Sequence, residues 1–342
     1  MNKKIIKTLF HYASQEKAAT VVIEDRAEEI GLDYRLLDGS KKSFSLPKKL
    51  EDNLINNLRQ VLKVAPGELL TKKYCKIYDQ NYHLAFYLTI LPNKNGERLI
   101  INIIHQEQKL WRLEQLGFQR SSLLYLQKLE KIHSGLILVS APIGQGKSAT
   151  LNALAQKLNN PQHNLYFFDK YPNIKMPGIN YLALNQKNWE TVLRHDCEAI
   201  ILPEINDEDT LKKALLAAST GRLVLGALSA DSVWEVLLKI FKLKLPLKLK
   251  LDGTKIIINQ RLVPLKNSAG RQPGRRQLIG LFETLNLNSE MKKFILKEGA
   301  SAKKDNFWEK LTSLALNTDF KPLQYDLQKK IRDGLVAKEE HL

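Results

Sequence analysis

The chain has 342 residues, enough for two domains that each bury a core, which excludes a peptide or a disulfide mini-protein. Hydrophobic residues make up 44%, charged residues 26% and aromatics 8%, a globular balance that excludes disorder along the whole chain. Two cysteines, Cys75 and Cys197, are too few for a disulfide framework or a four-thiolate metal site and read as buried thiols in a reducing compartment. Lys and Arg number 53 against 36 Asp and Glu, a formal charge of +17, so the partners should be anionic: nucleic acid, an anionic lipid surface, an acidic protein or a polyphosphate nucleotide. No apolar run approaches the roughly 20 residues of a membrane-spanning helix, and the basic opening is followed by too short an apolar stretch for a secretory signal, which places the chain in the cytoplasm.

The first hundred residues read as mixed α/β. A helix is predicted over 4–16, the β-branched run Thr20-Val21-Val22-Ile23 opens a strand, and Asp38-Gly39 signals a turn. Leu50, Leu54, Leu58 and Leu62 fall at helical spacing, and two β-rich runs, 83–91 and 98–104, flank a turn at 92–96. From 106 to 120 the composition turns polar. We therefore expect a first domain over 1–108, a connection over 109–120 with Trp111, Leu113 and Leu116 as its packing points, and a second domain over 121–342.

In that second domain, apolar strand candidates at 136–139, 165–168, 199–202, 223–227 and 255–258 alternate with helical stretches, the pattern of a parallel sheet covered on both faces. Ligands of such sheets sit at the carboxyl ends of the strands. Residues 242–251 alternate Lys with Leu at period two. On pattern alone that is a strand with one charged face, but Pro246 argues against a central strand, and a solvated face is favoured over an anion-facing one.

The most specific signal is Gly135-Leu-Ile-Leu-Val-Ser-Ala-Pro-Ile-Gly-Gln-Gly-Lys-Ser148, a buried strand running into a glycine-bearing turn and a helix. In such a loop the backbone of Gly144, Gln145, Gly146, Lys147, Ser148 and Ala149 curls around phosphates, Lys147 reaches the terminal ones, and the Ser148 hydroxyl ligates magnesium. The implied ligands are a polyphosphate nucleotide and Mg2+. Ala141 stands where a consensus loop has glycine, which costs little if its φ is negative. Downstream, the strand 199–202 leads to Glu204, an acid placed to order water or magnesium, and Asp169 closes the strand 165–168 either as a second acid or as a turn cap. Asp207 and Asp209 read as caps of a helix beginning near Thr210. Trp111, Trp189, Trp234 and Trp308 read as packing residues, and His105, His133 and His163 stand apart from any metal-ligand spacing.

These residues resemble the hexameric ATPases of type II secretion, type IV pilus assembly and DNA uptake. Val192-Leu-Arg-His-Asp196, the run from Ile200 to Thr210 and Ala217-Ala-Ser-Thr-Gly-Arg-Leu-Val-Leu225 are similar to that family's extended Walker B region and the block after it. Asn259-Gln-Arg-Leu262 resembles its Gln-Arg-Leu motif, and Gly280-Leu-Phe-Glu283 with Asp333-Gly334 resembles its C-terminal elements. In the first domain, 18–24 is similar to the family's first strand motif, and Leu91-Pro92 with Gly96-Glu97 to its hairpin. The resemblance implies a PAS-like N-terminal α/β module and a RecA-like P-loop motor. It further implies a homo-hexamer or mixed ring, ATP binding with Glu204 and Asp169 as catalytic acids, and a partner in an inner-membrane assembly platform. Nucleic acid is not an expected direct ligand, since no aromatic-studded basic strand or recognition helix is present.

The departures from that pattern are specific. Phe168 precedes Asp169 where the family has a catalytic glutamate, the two histidines of its His box fall on Arg222 and Ser229, and first-domain arginines fall on Tyr87 and Asn102. The Asp and His of the first strand motif become Thr20 and Val22. The four-cysteine zinc insertion is replaced by a basic loop over 266–276, so no zinc is expected, nor an N-terminal docking extension. Loss of a cation or of a water-orienting group lowers phosphoryl-transfer turnover by orders of magnitude, whereas binding rests mostly on the loop. Nucleotide binding is thus better supported than hydrolysis, and Arg222 is a candidate replacement for one lost cation.

Overall fold

The structure, a computed structural model, describes residues 2–37, 39–48, 51–65, 67–78, 83–104, 110–169, 172, 174–266, 278–298 and 305–340. Two compact units emerge, one within 1–108 and the other within 109–268 and 277–342. Among the described residues no helix is long and apolar enough to cross a membrane.

The first unit opens with α1 (Asn2–Gln15), whose Ile6, Leu9, Phe10 and Ala13 recur at helical spacing and are all buried. Three strands follow, β1 (Ala18–Asp25), β2 (Glu29–Leu36) and β3 (Lys41–Pro47), then α2 (Glu51–Val61). The last strands are β4 (Leu70–Tyr78), β5 (His83–Asn93) and β6 (Gly96–Ile104). They form one antiparallel sheet in the order β3-β2-β1-β6-β5-β4. Alternation decides the faces: Val21 and Ile23 are fully buried in a core shared with α1 and α2, where Phe10 stacks on Phe86 at 5.3 Å, while Thr20 and Val22 point the other way. The expected turn at 92–96 is tighter than its composition suggests, since Asn93 already pairs with Gly96. Gly39, at φ +86°, donates its N–H to Leu36 O, while Asp38 of the expected turn lies outside the described residues. His105 also lies outside them.

The described part of the connection, 110–120, is packed as a piece of the second unit. Leu113 is buried, Phe118 stacks on Phe282 at 3.8 Å, and Gly280 N–H donates to Leu116 O. Its polar composition concealed this, and the carbonyls of Leu116 and Gly117 accept from Gly280 N–H and Lys330 Nζ of the same unit. The unit continues through α3 (Arg120–Leu126), β7 (Gly135–Ser140), α4 (Lys147–Leu158), β8 (Leu165–Phe167) and β9 (Ile179–Tyr181). Next come α5 (Gln186–Arg194), β10 (Ala199–Leu202), α6 (Glu208–Ser219), β11 (Leu223–Leu228), α7 (Val233–Lys242) and α8 (Leu247–Gly253). The long hairpin β12 (Thr254–Pro264) and β13 (Leu278–Asn286) precedes α9 (Ser289–Glu298), α10 (Asp305–Leu316) and α11 (Leu323–Arg332).

The second sheet runs β13-β12-β7-β11-β10-β8-β9, parallel throughout except for the antiparallel β13. Every residue of β7 is buried, with Leu136 and Leu138 in the core beneath α6 and α7 and Ile137 and Val139 in the core beneath α4. A strand covered on both faces reads as an unbroken apolar run, which is why 136–139 was legible. The fold is mixed α/β, as expected. The lysine–leucine stretch 242–251 is not a strand: Pro246 stands at the N-cap of α8, so the period-two pattern spans the end of one helix, a turn and the next helix. Lys242, Lys244 and Lys248 are exposed, whereas Lys250 is buried and donates to Phe241 O at 2.8 Å. Trp189, Trp234 and Trp308 all pack against aromatic neighbours. Most of the basic loop 266–276 lies outside the described residues.

Candidate nucleotide site

β7 delivers the chain to the carboxyl edge of the parallel sheet, and the loop from Ala141 to Gly146 turns it into α4. Gly144 and Gly146 both sit at φ +81°, a conformation closed to most side chains, and a Cβ on Gly146 would also meet Gln260 Nε2 at 3.0 Å. Ala141 is absent from the positive-φ residues, so alanine in place of the consensus glycine adds no strain. Lys147 Nζ donates to Ala141 O at 2.9 Å and Pro142 O at 3.0 Å, folding back beneath the loop it follows. Burial lowers its pKa while the charge of Glu204 raises it, which places that carboxylate within electrostatic reach. Ser148 is exposed in the first turn of α4. Ala149 N–H, at 3.0 Å, and Thr150 N–H, at 3.3 Å, go to Gly146 O and Gln145 N–H goes to Pro142 O at 3.4 Å, so the donors a ligand can use are those of Gly146, Lys147 and Ser148.

Glu204 follows β10 and is exposed; Ile205 N–H to Ala227 O at 2.7 Å fixes the backbone beside it. Asp169 stands at the same edge but follows β8, three strands from β7, or about 14 Å at the usual strand spacing. It is half-buried, and its charge joins burial in raising the pKa of Tyr181. Gly144, Gln145, Gly146, Lys147 and Ser148 lie together in the loop and the first turn of α4, whereas Glu204 follows β10, two strands from β7, and Asp169 follows β8, three strands from it. Phe168 is buried, its ring 5.3 Å from Trp189, so this position contributes packing where the resembled family has a carboxylate.

The expectation for Arg222 is corrected by the strand direction. Arg222 precedes β11, at the amino edge of the sheet, and six residues of strand, about 20 Å, separate it from the carboxyl edge where the loop lies. There it donates from Nη2 to Leu193 O at 2.6 Å, a C-terminal carbonyl of α5, and from Nη1 to Thr220 Oγ1 at 3.0 Å. It is a staple of the helix end.

Sequence reading gave no role to the residues that hold the loop. Gln260, buried on β12, donates from Nε2 to Gln145 O at 2.5 Å and accepts at Oε1 from the buried Thr150 hydroxyl at 2.6 Å. Gln145 Oε1 in turn accepts from Leu262 N–H at 2.7 Å. The resemblance had marked 259–262 as a motif, which was the only available signal. In the first unit, Thr20, Asn102 and Tyr87 occupy one row across β1, β6 and β5, and Thr20 Oγ1 donates to Asn102 Oδ1 at 3.1 Å. Neutral groups fill the places where the family pattern has an aspartate and two arginines.

Comparison with known proteins bears on the fold and the family. The chain is 26% identical over 270 residues to a putative type II secretion system protein E of Escherichia coli, covering 76% of this chain and 55% of that protein. It is 23% identical to the type IV pilus assembly ATPase TfpB of Acinetobacter baylyi, over 99% of this chain and 64% of the relative. The chain thus spans roughly half to two thirds of the length of these relatives. Among solved structures, the Legionella pneumophila ATPase DotB superposes with a TM-score of 0.70 at 15% identity, over 99% of this chain and 94% of that one. The pilus retraction motor PilT, solved with bound ADP, superposes with 0.69 at 19% identity, over 98% and 95%. These likenesses show a shared fold. A family model described as type II/IV secretion system protein matches residues 2–317, nearly the whole chain, and the chain belongs to that family.

Proposed function

We propose that the second unit binds ATP with magnesium at the phosphate loop, and that the chain serves as a ring-forming subunit of a type IV pilus, type II secretion or DNA-uptake assembly machine. The observation that carries this reading is Lys147, the first residue of α4, held on the carbonyls of the glycine-bearing loop that precedes it. The residues present fit the ligand: two glycines open the loop backbone, α4 begins at Lys147 with donors free of its ladder, and Ser148 is exposed beside them. Lys147 would leave Ala141 O and Pro142 O for the terminal phosphates, Ser148 would ligate magnesium, and Glu204 would orient water or the metal. When bound, magnesium neutralises phosphate charge and the nucleotide supplies the phosphoryl group. The names of the relatives support the machine; the ring, homo-hexameric or mixed, and a platform partner at the cytoplasmic face of the inner membrane belong to the same reading.

A second reading draws on Phe168. With an aromatic packed on Trp189 at the position before Asp169, and Asp169 three strands away from the loop, Glu204 alone is left to orient the attacking water. In that reading the subunit is a catalytically impaired paralogue that binds nucleotide as a structural or regulatory element of the ring. A fluorescent ATP analogue titrated with magnesium, wild type against Lys147→Ala, alongside phosphate release, tests both. Lys147-dependent binding with turnover above the Lys147→Ala background fits a motor; the same binding without turnover fits the impaired subunit. Wild-type binding equal to that of Lys147→Ala would sink the proposal.

A further inference from the structure

Nothing in the nucleotide reading requires the loop to be held by another strand, yet it is. Gln260 projects from β12, on the opposite side of β7 from β11, and its side-chain amide lies under the loop with no exposure of consequence. Its two polar atoms are committed in opposite senses: Nε2 donates to Gln145 O, and Oε1 accepts from the hydroxyl of Thr150, four residues into the loop-helix junction after Gly146. That fixes the amide's orientation, because a carbonyl can only accept, so the nitrogen must face Gln145. The contact is returned, since Gln145 reaches back to Leu262 N–H at 2.7 Å and occupies a backbone donor of β12. Gly146 lies against the same amide, where even a methyl group would come within 3.0 Å of Nε2 and 3.3 Å of Leu262 Cδ1.

We propose that Gln260 is a positioning residue for the nucleotide phosphates, which together with Thr150 and Gln145 holds the loop carbonyl of Gln145 turned inward, so that the neighbouring N–H groups of Gly146, Lys147 and Ser148 face the phosphate. The physical argument is one of preorganisation. A peptide unit has its C=O and N–H on opposite sides, so pinning the carbonyl of Gln145 to Gln260 directs the N–H of Gly146, the other half of that peptide, away from Gln260. A loop built on two left-handed glycines has many conformations to lose on binding, and each contact that restricts it beforehand lowers that cost. The brace therefore raises affinity without touching the ligand. This inference rests on the loop being a nucleotide site.

The test is equilibrium and stopped-flow binding of the fluorescent ATP analogue with magnesium to the full chain, comparing wild type, Gln260→Leu, Gln145→Ala, their double variant, Thr150→Val, Thr150→Ser and Lys147→Ala. Gln260→Leu is expected to weaken binding about tenfold, the scale of one well-made hydrogen bond. The Gln145→Ala loss should be smaller, because it removes only the contact to Leu262 N–H and leaves the Gln145 carbonyl on Gln260, and the double variant should bind more weakly than either single one. Thr150→Val should weaken binding and Thr150→Ser should restore it, which a role in packing alone would not produce. Affinities of Gln260→Leu and Gln145→Ala within twofold of wild type, while Lys147→Ala abolishes binding, would overturn the brace and leave the site standing. Equal binding by wild type and Lys147→Ala would overturn the site and the brace with it. If Gln260→Leu does not fold, Thr150→Val decides, since it removes the hydroxyl that orients the Gln260 amide: an affinity within twofold of wild type in Thr150→Val overturns the proposal.

Discussion

Asn259 donates from Nδ2 to the buried carboxylate of Glu283 at 3.2 Å, and through that contact the strand beside the phosphate loop is tied to two helix starts. Glu283 Oε1 accepts from Val233 N–H, the first residue of α7, at 2.9 Å, and Oε2 accepts from Leu323 N–H, the first of α11, at 3.3 Å. One carboxylate thereby meets the positive ends of two helices, and the Asn259 Oδ1 accepts from Ser140 Oγ at 3.1 Å at the point where β7 becomes the loop.

Replacing that carboxylate with an amide, Glu283→Gln, leaves one buried N–H facing a donor, and the expected loss of stability is about 2–3 kcal/mol. The variant should also change the pH response. Burial pushes the Glu283 carboxyl above its ordinary value more than its N–H donors pull it down, so its folded pKa exceeds the unfolded one. Its contribution is then fully present below the unfolded pKa, about 4.3, and is lost as pH rises through the folded value. Thermal melts of both proteins between pH 4 and 7 should show the stability gap narrowing as pH rises; a constant gap would mean that Glu283 titrates as it does when unfolded.

Phe168→Glu, which restores the family's residue type, should not restore turnover. The ring lies in the core with Trp189, Ile200 and Leu202, and a carboxylate there has no partner. An uncompensated buried charge costs about 3 kcal/mol or more. A melting temperature within about 2 °C of wild type, or a rise in phosphate release, would show that position 168 can turn out of the core.

The parallel sheet was legible because strands buried on both faces are continuous apolar runs, and β7, β10 and β11 are of that kind. The edge strands were not: β3 is largely exposed and offers only Phe44 and Leu46 as alternating apolar residues among Lys41, Lys42, Ser43 and Ser45, and β9 has three residues. The two loop glycines and the helix that starts at Lys147 were legible because a glycine-bearing turn between a buried apolar run and a helix is a local pattern. Gln260 was not, since a glutamine 115 residues downstream of its partner Gln145 acts through a contact that only the closed sheet creates. Arg222 misled for the opposite reason: its place in a motif was read without the strand direction that puts it at the wrong end of β11.

Asp207→Ala should cost about 1 kcal/mol, the usual value of an N-cap. Its side chain accepts from Thr210 N–H at 2.7 Å at the start of α6, and hydrogen bonding there holds its carboxyl below the ordinary value. The cap's contribution is accordingly present above the unfolded pKa of about 3.9 and fades as pH falls through the folded value. Denaturant melts should show the wild-type advantage at pH 7 shrinking below pH 4; an advantage that persists at pH 2 would assign it to packing.

Arg222→Ala should leave nucleotide affinity unchanged while lowering stability. The guanidinium supplies a hydrogen bond to Leu193 O, one of the unpaired carbonyls at the end of α5, and another to Thr220 Oγ1. A cation at a helix C-terminus adds a favourable term to those contacts, so removal is expected to cost about 1–2 kcal/mol. Beside it, burial pushes the Cys197 thiol up to about 12, with the charge of Arg222 pulling the other way, so Cys197 should become still less reactive toward thiol reagents in the variant. Two readouts then separate an anchor from a ligand contact. A lower melting temperature with unaltered binding of the ATP analogue fits the staple, whereas a fall in affinity without a fall in stability would return Arg222 to the nucleotide, contributed to a site other than the loop at the far end of its own sheet.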